Sequence, residues 1–330
     1  MDVNQTLDHK DKLKRLGRTL LRRNELGTIL PLVILLVTVG IVNKDFFAIG
    51  NIMDIGRTAS FSFMVAVPMT FLLSTGSMDL SIGAVTSFGG VICAFALEAG
   101  FPIPLAIALA LFAGACVGLV NGLIVVRYDM PPFITTLGTQ YVVKGIIMVA
   151  TSGLAISGFS DTFKRLAQGR AFGVVPYTIF YAVVIGIIGH VVLTRTKHGR
   201  AILAIGGNRE TAYLAGINVT GKRIGAYIIN STFAAFAGVM MASRFASAQP
   251  EAGTGTEMTI MASVIIGGTS SYGGTGTVIG SALGCILLAT ILNALIVMGV
   301  SAFWQNLIFG LILLVSLFID KYRRQVGAGK

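Results

Sequence analysis

The chain has 330 residues, of which 54% are hydrophobic and only 12% are charged, and its mean hydropathy is +0.82. Because soluble domains carry roughly 25% charged residues, this composition excludes an ordinary soluble protein and predicts an all-α, polytopic bundle of transmembrane helices. The three cysteines and three histidines show no metal-ligand spacing, so we expect neither a metal site nor a bound cofactor.

The N-terminal segment, residues 1–25, is polar and holds seven Lys and Arg residues. It precedes the first apolar segment without a small-residue cleavage site. We therefore interpret it as a cytoplasmic basic tail rather than a secretory signal.

Ten apolar segments follow, and a helix needs ~20 residues to cross a bilayer. They lie near Leu26–Val42, Thr58–Ser74, Ser81–Leu97, Ile103–Val126, Phe133–Thr151, Tyr177–Thr194, Ile224–Ser243, Met258–Thr269, Thr277–Met298 and Phe303–Ile319. The eighth is the shortest and runs into glycine-rich sequence. We expect residues 26–320 to form a single transmembrane domain.

Positive charge is distributed unevenly between the two sides that ten spans would create. With the N-terminus in the cytosol, 18 Lys and Arg residues fall in cytosolic segments and 6 in outer segments. This bias predicts that both termini are cytosolic, with residues 321–330 as a second cytoplasmic tail. The net charge of +11 would then face anionic lipid, and no nucleic-acid partner is expected.

The largest outer loop covers residues 152–176, which is too short for an independent domain. A short amphipathic helix is predicted around Phe163–Ala167. Two interpretations remain open: the helix is a docking element for a partner, or it is part of a solvated connector.

The polar break between the second and third segments, residues 74–83, contains Asp79. A charge at the membrane edge is costly unless it is satisfied. Asp79 either caps the third helix through the amides near Ile82 or belongs to a transport path or gate.

The longest cytosolic segment, residues 195–223, is predicted as an extended polar loop with one short helix over residues 209–215. Asn208 is a good N-cap, Glu210 suits the first turn, and Gly216 is placed to end the helix in a left-handed conformation. The capping at both ends favours a docking element over a plain connector.

Part of the same loop, residues 216–223, nearly matches the phosphate-loop pattern GxxxxGK followed by Ser or Thr. Arg223 occupies the last position, so no hydroxyl can reach Mg²⁺, and no strand precedes the motif. We therefore expect no ATP hydrolysis and no enzymatic activity. A bundle with a shaped cytosolic loop and no energy source of its own indicates a permease driven by a separate protein.

The glycine-rich stretch 266–277 frees backbone groups that are tolerated at membrane depth only inside protein or beside a water-filled cavity. It is either a path lining or a site of close helix packing. Within the spans, polar residues such as Asn121 are expected to form interhelical hydrogen bonds.

Three stretches resemble the permease subunit of ribose-type (monosaccharide) ABC importers, in the branched-chain amino acid and sugar inner-membrane permease family. Residues 74–83 resemble SGGxDLSxG, with Ser77 in place of the second Gly. Residues 199–217 resemble GRxxxAIGGNxxAAxxxGI, with Thr211 in place of one Ala. Residues 247–276 resemble the pattern that runs from SxQPxxGxGxE to GGTSxxGGxG.

The resemblance implies an importer of a monosaccharide or related polyol in the bacterial inner membrane. Its partners would be an ABC ATPase, a periplasmic sugar-binding protein and a second permease subunit, identical or different. Residues 208–217 would form the coupling helix. The rival is an ion- or proton-coupled secondary carrier without an ATPase, which the lack of a charged relay disfavours.

Two groups of candidate site residues follow from the motifs and the resemblance. The ATPase-coupling candidates are Asn208, Glu210, Thr211, Ala212, Gly216 and Ile217. The candidates for the translocation path or gate are Asp79, Ser81, Asn121, Gln249, Glu257 and Tyr272.

Overall fold

The computed structural model describes residues 26–301 and, beyond them, residues 304, 307, 308, 310, 311 and 314. The two predicted tails, residues 1–25 and 321–330, lie outside the described residues. Most of the tenth predicted span, Phe303–Ile319, lies outside them as well.

The described chain is mostly helical, with four two-residue strands. The helices are α1 (Leu26–Val42), α2 (Ile49–Ser74), α3 (Ile82–Glu98), α4 (Ile103–Arg127), α5 (Pro132–Thr151), α6 (Asp161–Gln168), α7 (Tyr177–Arg195), α8 (Lys197–Gly207), α9 (Arg209–Leu214), α10 (Val219–Phe245), α11 (Thr256–Ile266) and α12 (Val278–Val297). The strands are β1 (Ile156–Ser157), β2 (Arg170–Ala171), β3 (Val175–Pro176) and β4 (Ser247–Ala248), and a 3-10 turn covers Lys44–Phe47.

Six of the described helices, α2, α4, α5, α7, α10 and α12, are long and apolar enough to cross a membrane. Shorter apolar helices are α1, α3 and α11. The predicted polytopic helical class is confirmed, whereas the count of ten spans and the side on which each end lies stay predictions.

The predicted extended loop over residues 195–223 is wrong in one respect, because most of it is helical. Helix α8 occupies its first half, and α10 begins at Val219 rather than Ile224. Asn218 starts α10, since its side-chain oxygen accepts a hydrogen bond from the N–H of Gly221 at 2.8 Å.

The two ends of the bundle carry different structures. One end, the α9 end, holds α8, α9 and the segments that lead into α3 and α12. The opposite end, the α6 end, holds α6, the β2–β3 hairpin and the antiparallel pairing of β1 with β4. Helix α6 confirms the short helix predicted in the outer loop. It packs on α10, where the Ser243 hydroxyl donates to the Phe163 carbonyl oxygen at 2.7 Å.

Helices α4 and α10 pack closely against each other in the bundle core. Gly114, Gly118 and Gly122 recur every fourth residue on α4 and face α10. A Cβ atom at Gly118 would lie 2.8 Å from the Cα atom of Ile228, closer than any side chain allows. Small residues at such spacing let two backbones touch within a membrane.

Candidate functional site

Helix α9 is fixed at both ends by hydrogen bonds that its own sequence supplies. At its start, the Asn208 side-chain oxygen accepts from the backbone N–H of Thr211 at 2.9 Å. At its end, Gly216 has φ +78°, and the N–H of Ile217 donates to the carbonyl oxygen of Ala212 at 3.1 Å. This is the Schellman arrangement, so the caps predicted at Asn208 and Gly216 are confirmed.

The exposed face of α9 differs from the small-residue face that its alanines suggest. Ala212 is only 3% exposed, so its methyl group faces the protein. Tyr213 and Leu214 are 71% and 78% exposed, and Glu210 and Thr211 are exposed beside them. We name these four exposed residues the α9 surface. The two adjacent large apolar side chains give α9 an exposed apolar face.

Three segments from distant parts of the sequence meet at the start of α9. The Arg209 guanidinium donates to the carbonyl oxygen of Gly76 at 3.3 Å, and the N–H of Gly274 donates to the carbonyl oxygen of Ser74 at 3.0 Å. Gly206 fits between these segments because a Cβ atom there would overlap the Ser74 oxygen and the Gly274 nitrogen. We name the three segments the three-loop junction: residues 74–76, 206–209 and 272–274.

A pair of basic side chains joins α8 to α10. The ammonium nitrogen of Lys222 lies 2.9 Å from Nδ1 of His198. Burial, and then the neighbouring Lys222 charge, lower the pKa of His198 below its ordinary value of 6.5. The imidazole is therefore neutral at pH 7, and its Nδ1 accepts a hydrogen bond from the ammonium group.

Asp79 lies inside the bundle with 0% exposure. Its carboxylate accepts hydrogen bonds from the N–H and hydroxyl of Ser81 at 2.9 and 2.6 Å, from the Asn230 amide at 3.2 Å, and from the Ser231 hydroxyl at 3.5 Å. The predicted contact with amides near Ile82 is thus shifted by one residue, since the bond goes to the N–H just before α3 begins. We name Asp79 and its partners Ser81, Asn121, Asn230 and Ser231 the carboxylate network.

The carboxylate network extends to α4 and α5. The Asn121 amide donates to the Ser81 hydroxyl at 2.9 Å, and the Thr139 hydroxyl donates to the Asn121 oxygen at 2.7 Å. The N–H of Leu80 donates to the Thr136 hydroxyl at 3.0 Å. The expectation that polar residues in the spans form interhelical hydrogen bonds is therefore confirmed at Asn121.

Helix α10 also holds the segment that leads to Asp79. The Arg223 guanidinium donates to the Ser77 hydroxyl at 3.0 Å, and the Tyr227 hydroxyl donates to the carbonyl oxygen of Met78 at 3.1 Å. In this conformation the carboxylate is covered by protein and bound by neutral donors. Such an arrangement can fix the geometry of the segment before α3, because the Asp79 carboxyl group is joined to hydrogen-bond donors of several helices.

Glu257 forms a second buried cluster, at the start of α11. One carboxylate oxygen accepts from the Gln140 amide at 3.1 Å, and the other packs against Gly83, where a Cβ atom would overlap it. The remaining two path candidates are at the surface, since Gln249 is exposed and Tyr272 is 56% exposed. Of the six path candidates, therefore, only Asp79, Ser81 and Asn121 share one network. Sequence reasoning had not placed Arg209, Arg223 or Ser231 in the site.

Helices that can cross a membrane, buried polar breaks within the bundle and an exposed capped helix at one end define a membrane transport protein. The chain belongs to the family described as branched-chain amino acid transport system, permease component, which matches residues 51–317. The resemblance inferred from the motifs is thereby confirmed. Together with the six apolar helices, the family shows a multi-pass protein of the bacterial inner membrane and a transport component.

Three relatives illustrate what the chain is similar to. The ribose import permease protein RbsC of Haemophilus influenzae is 35% identical over 312 residues, covering 93% of this chain and 95% of the relative. The L-arabinose ABC transporter permease protein AraH of Azospirillum brasilense is 32% identical over 301 residues, covering 91% and 88%. The autoinducer 2 import system permease protein LsrC of Photorhabdus luminescens is 30% identical over 296 residues, covering 90% and 89%. No solved structure matched the chain.

Proposed function

We propose that this chain is the permease subunit of an ATP-driven ABC importer that moves a monosaccharide or related polyol across the inner membrane. The similarity to permeases named for ribose and L-arabinose import extends over at least nine-tenths of the chain, which supports a shared solute class. The full assembly would contain an ABC ATPase, a periplasmic sugar-binding protein and a second permease subunit.

Hydrolysis of ATP is assigned to a separate subunit. The stretch 216–223 that nearly matches a phosphate loop follows helix α9 instead of a strand, and its first residue ends that helix. Its last residues already lie in α10. These features support a role in helix connection and leave the chain dependent on a partner for energy. The proposal also includes ten spans with both termini in the cytosol.

The observation that carries the proposal is α9 itself. Its Tyr213 and Leu214 side chains are exposed. Its first residue, Arg209, is hydrogen-bonded to Gly76, in the segment that leads to Asp79. A movement of the ATPase against the α9 surface would be passed through Arg209 to Gly76. From there the displacement reaches Asp79 and the helices that the carboxylate network joins. In this scheme Asn208, Gly216 and Ile217 keep the helix rigid, whereas Glu210, Thr211, Tyr213 and Leu214 contact the ATPase.

The test is reconstitution of the full-length permease in proteoliposomes with its ATPase and binding protein. We expect uptake of a radiolabelled monosaccharide only when ATP, the ATPase and the binding protein are all present. Sugar uptake by the permease alone, driven by a proton or sodium gradient, would overturn the proposal and establish the secondary carrier.

A further inference from the structure

A cavity of about 560 Å³ lies between α2, α10 and α11 in the half of the bundle toward the α6 end. Its volume falls within the ~300–1,000 Å³ typical of small-molecule sites. Helix α2 contributes Thr58, Phe61 and Ser62, and the α11 side contributes Thr256 and Thr259. The cavity therefore has the size and the mixed apolar and hydroxyl lining of a ligand site.

Arg244, in the last turn of α10, is the single charged side chain among the described residues that line this cavity. Its guanidinium carbon lies 5.3 Å from the ring centroid of Phe61 and 5.3 Å from that of Phe245. The nearby Arg57 is instead paired with Asp54 at 3.6 Å. In the described part of the chain the Arg244 side chain stacks on rings and has no hydrogen-bond acceptor, so the N–H donors of its planar guanidinium remain available.

These features fit a polyhydroxylated solute such as a neutral sugar. Sugar hydroxyl oxygens can accept hydrogen bonds from Arg244, and the hydroxyls of Thr58 and Thr259 can both donate and accept. The apolar faces of a sugar ring can lie against Phe61 and the aliphatic wall, as in other mostly apolar ligand sites with a few polar groups.

We infer that this cavity is a sugar-binding vestibule at the α6 end of the translocation path and that Arg244 is its sugar-contacting residue. The inference rests on the proposed function, because it specifies where the solute of that transport reaction is held. The vestibule lies on a different part of the bundle from the α9 surface, so sugar binding and ATPase docking involve separate residues.

The test is protection of an engineered cysteine in the full-length permease in lipid nanodiscs, without the ATPase. Ser62→Cys places a thiol in the cavity wall, and Cys116→Ser removes the exposed native thiol, while Cys93 and Cys285 are buried. The probes are D-ribose, L-arabinose, D-galactose and D-glucose, and the label is N-ethylmaleimide. A sugar at ten times its dissociation constant should slow labelling about ten-fold, by mass action.

Further variants link protection to Arg244 and control for folding. Arg244→Gln should abolish protection, and Arg244→Lys should retain part of it. Arg165→Gln, at an exposed arginine of α6, should behave like the parent. Thr162→Cys, on the exposed face of α6, should label at the same rate with and without sugar in every variant.

The inference is overturned if no sugar protects Ser62→Cys, if sulfate protects and sugars do not, or if protection persists in a folded Arg244→Gln variant. Each of these results leaves ATP-dependent uptake to be measured separately. Failure of the proposed function would instead appear as gradient-driven uptake without the ATPase.

Discussion

The guanidinium of Arg209 donates a hydrogen bond to the carbonyl oxygen of Gly76 at 3.3 Å. The first residue of α9 is thereby joined to a segment that reaches Asp79 three residues later. Because Asn208 and Gly216 hold α9 at both ends, the helix can shift as one unit. A shift of α9 must then move the Asp79 segment or break this bond.

Arg209→Gln should uncouple ATP hydrolysis from uptake. The shorter, neutral side chain loses the bond to Gly76, and coupling energies of about 1–3 kcal/mol correspond to losses of roughly five-fold or more. We expect uptake per ATP hydrolysed in proteoliposomes to fall by that factor while hydrolysis persists. Arg200→Gln is the matched control, since Arg200 is an exposed arginine of the same region. Equal coupling in the two variants would refute a role for the Arg209 contact.

Gly206→Ala should disrupt the three-loop junction, whereas Gly207→Ala should not. A Cβ atom at Gly206 would overlap backbone atoms of Ser74 and Gly274, whereas a Cβ atom at Gly207 meets nothing within 4 Å. We expect Gly206→Ala to lower the melting temperature in detergent and to reduce uptake, with Gly207→Ala close to the parent in both. Similar behaviour of the two alanine variants would contradict the packing described here.

Tyr213→Asp and Leu214→Asp should abolish co-purification with the ATPase and leave membrane insertion intact. Both side chains are exposed, so the substitutions add charge to the surface without disturbing the protein interior. Thr220→Asp is the control, because Thr220 is exposed in the first turn of α10, where an acidic side chain suits the helix dipole. Retention of the ATPase by both α9 variants would exclude the α9 surface as its docking site.

Asp79→Ala should destabilise the protein more than Asp79→Asn. Alanine leaves the donors of Ser81 and Asn230 without an acceptor inside the bundle, and each unsatisfied buried group costs about 1–3 kcal/mol. Asparagine keeps one oxygen in place. We expect the alanine variant to show the lowest melting temperature and yield, with asparagine intermediate. Normal stability and normal uptake in Asp79→Ala would remove Asp79 from the site.

The contact between His198 and Lys222 should weaken as the pH falls. Folding lowers the pKa of His198 from its ordinary value of 6.5, so the unfolded chain binds more protons near that pH. The contribution of neutral His198 to folding stability is complete above about pH 6.5. It is lost as the pH falls through the lower pKa that His198 has in the folded protein. We expect the melting temperature of the parent to drop more between about pH 7.5 and pH 5 than that of His198→Gln. Parallel pH curves would show that folding does not lower the pKa of His198.

The short helix α9 could be predicted from sequence because its signals are local. Asn208 and Gly216 act within a few residues of themselves, so their roles follow from residue type and spacing. Helix α8 was missed because its glycines and basic residues suggest a loop. It nevertheless begins at a cap, since the Thr196 hydroxyl accepts from the N–H of Gly199 at 3.2 Å.

The carboxylate network could be predicted only in part, because its members are far apart in the chain. Asn121 and Asn230 stand out as amides within apolar spans, but nothing in the sequence shows that both surround Asp79. Ser231 gives no signal, since a serine in a membrane helix can bond its own backbone. The start of α2 was missed for a different reason: Asp54 and Arg57 reduce its apolar character, although they pair along the helix at 3.6 Å.

The glycine contact between α4 and α10 restricts how the bundle can change shape. Where Gly114, Gly118 and Gly122 bring the two backbones together, neither helix can slide or rotate against the other without a steric clash. The pair should therefore move as a rigid body during the transport cycle. The same reasoning extends to α3, because a Cβ atom at Gly238 of α10 would overlap the Thr86 carbonyl oxygen. Helices α3, α4 and α10 would then form one fixed wall of the transporter.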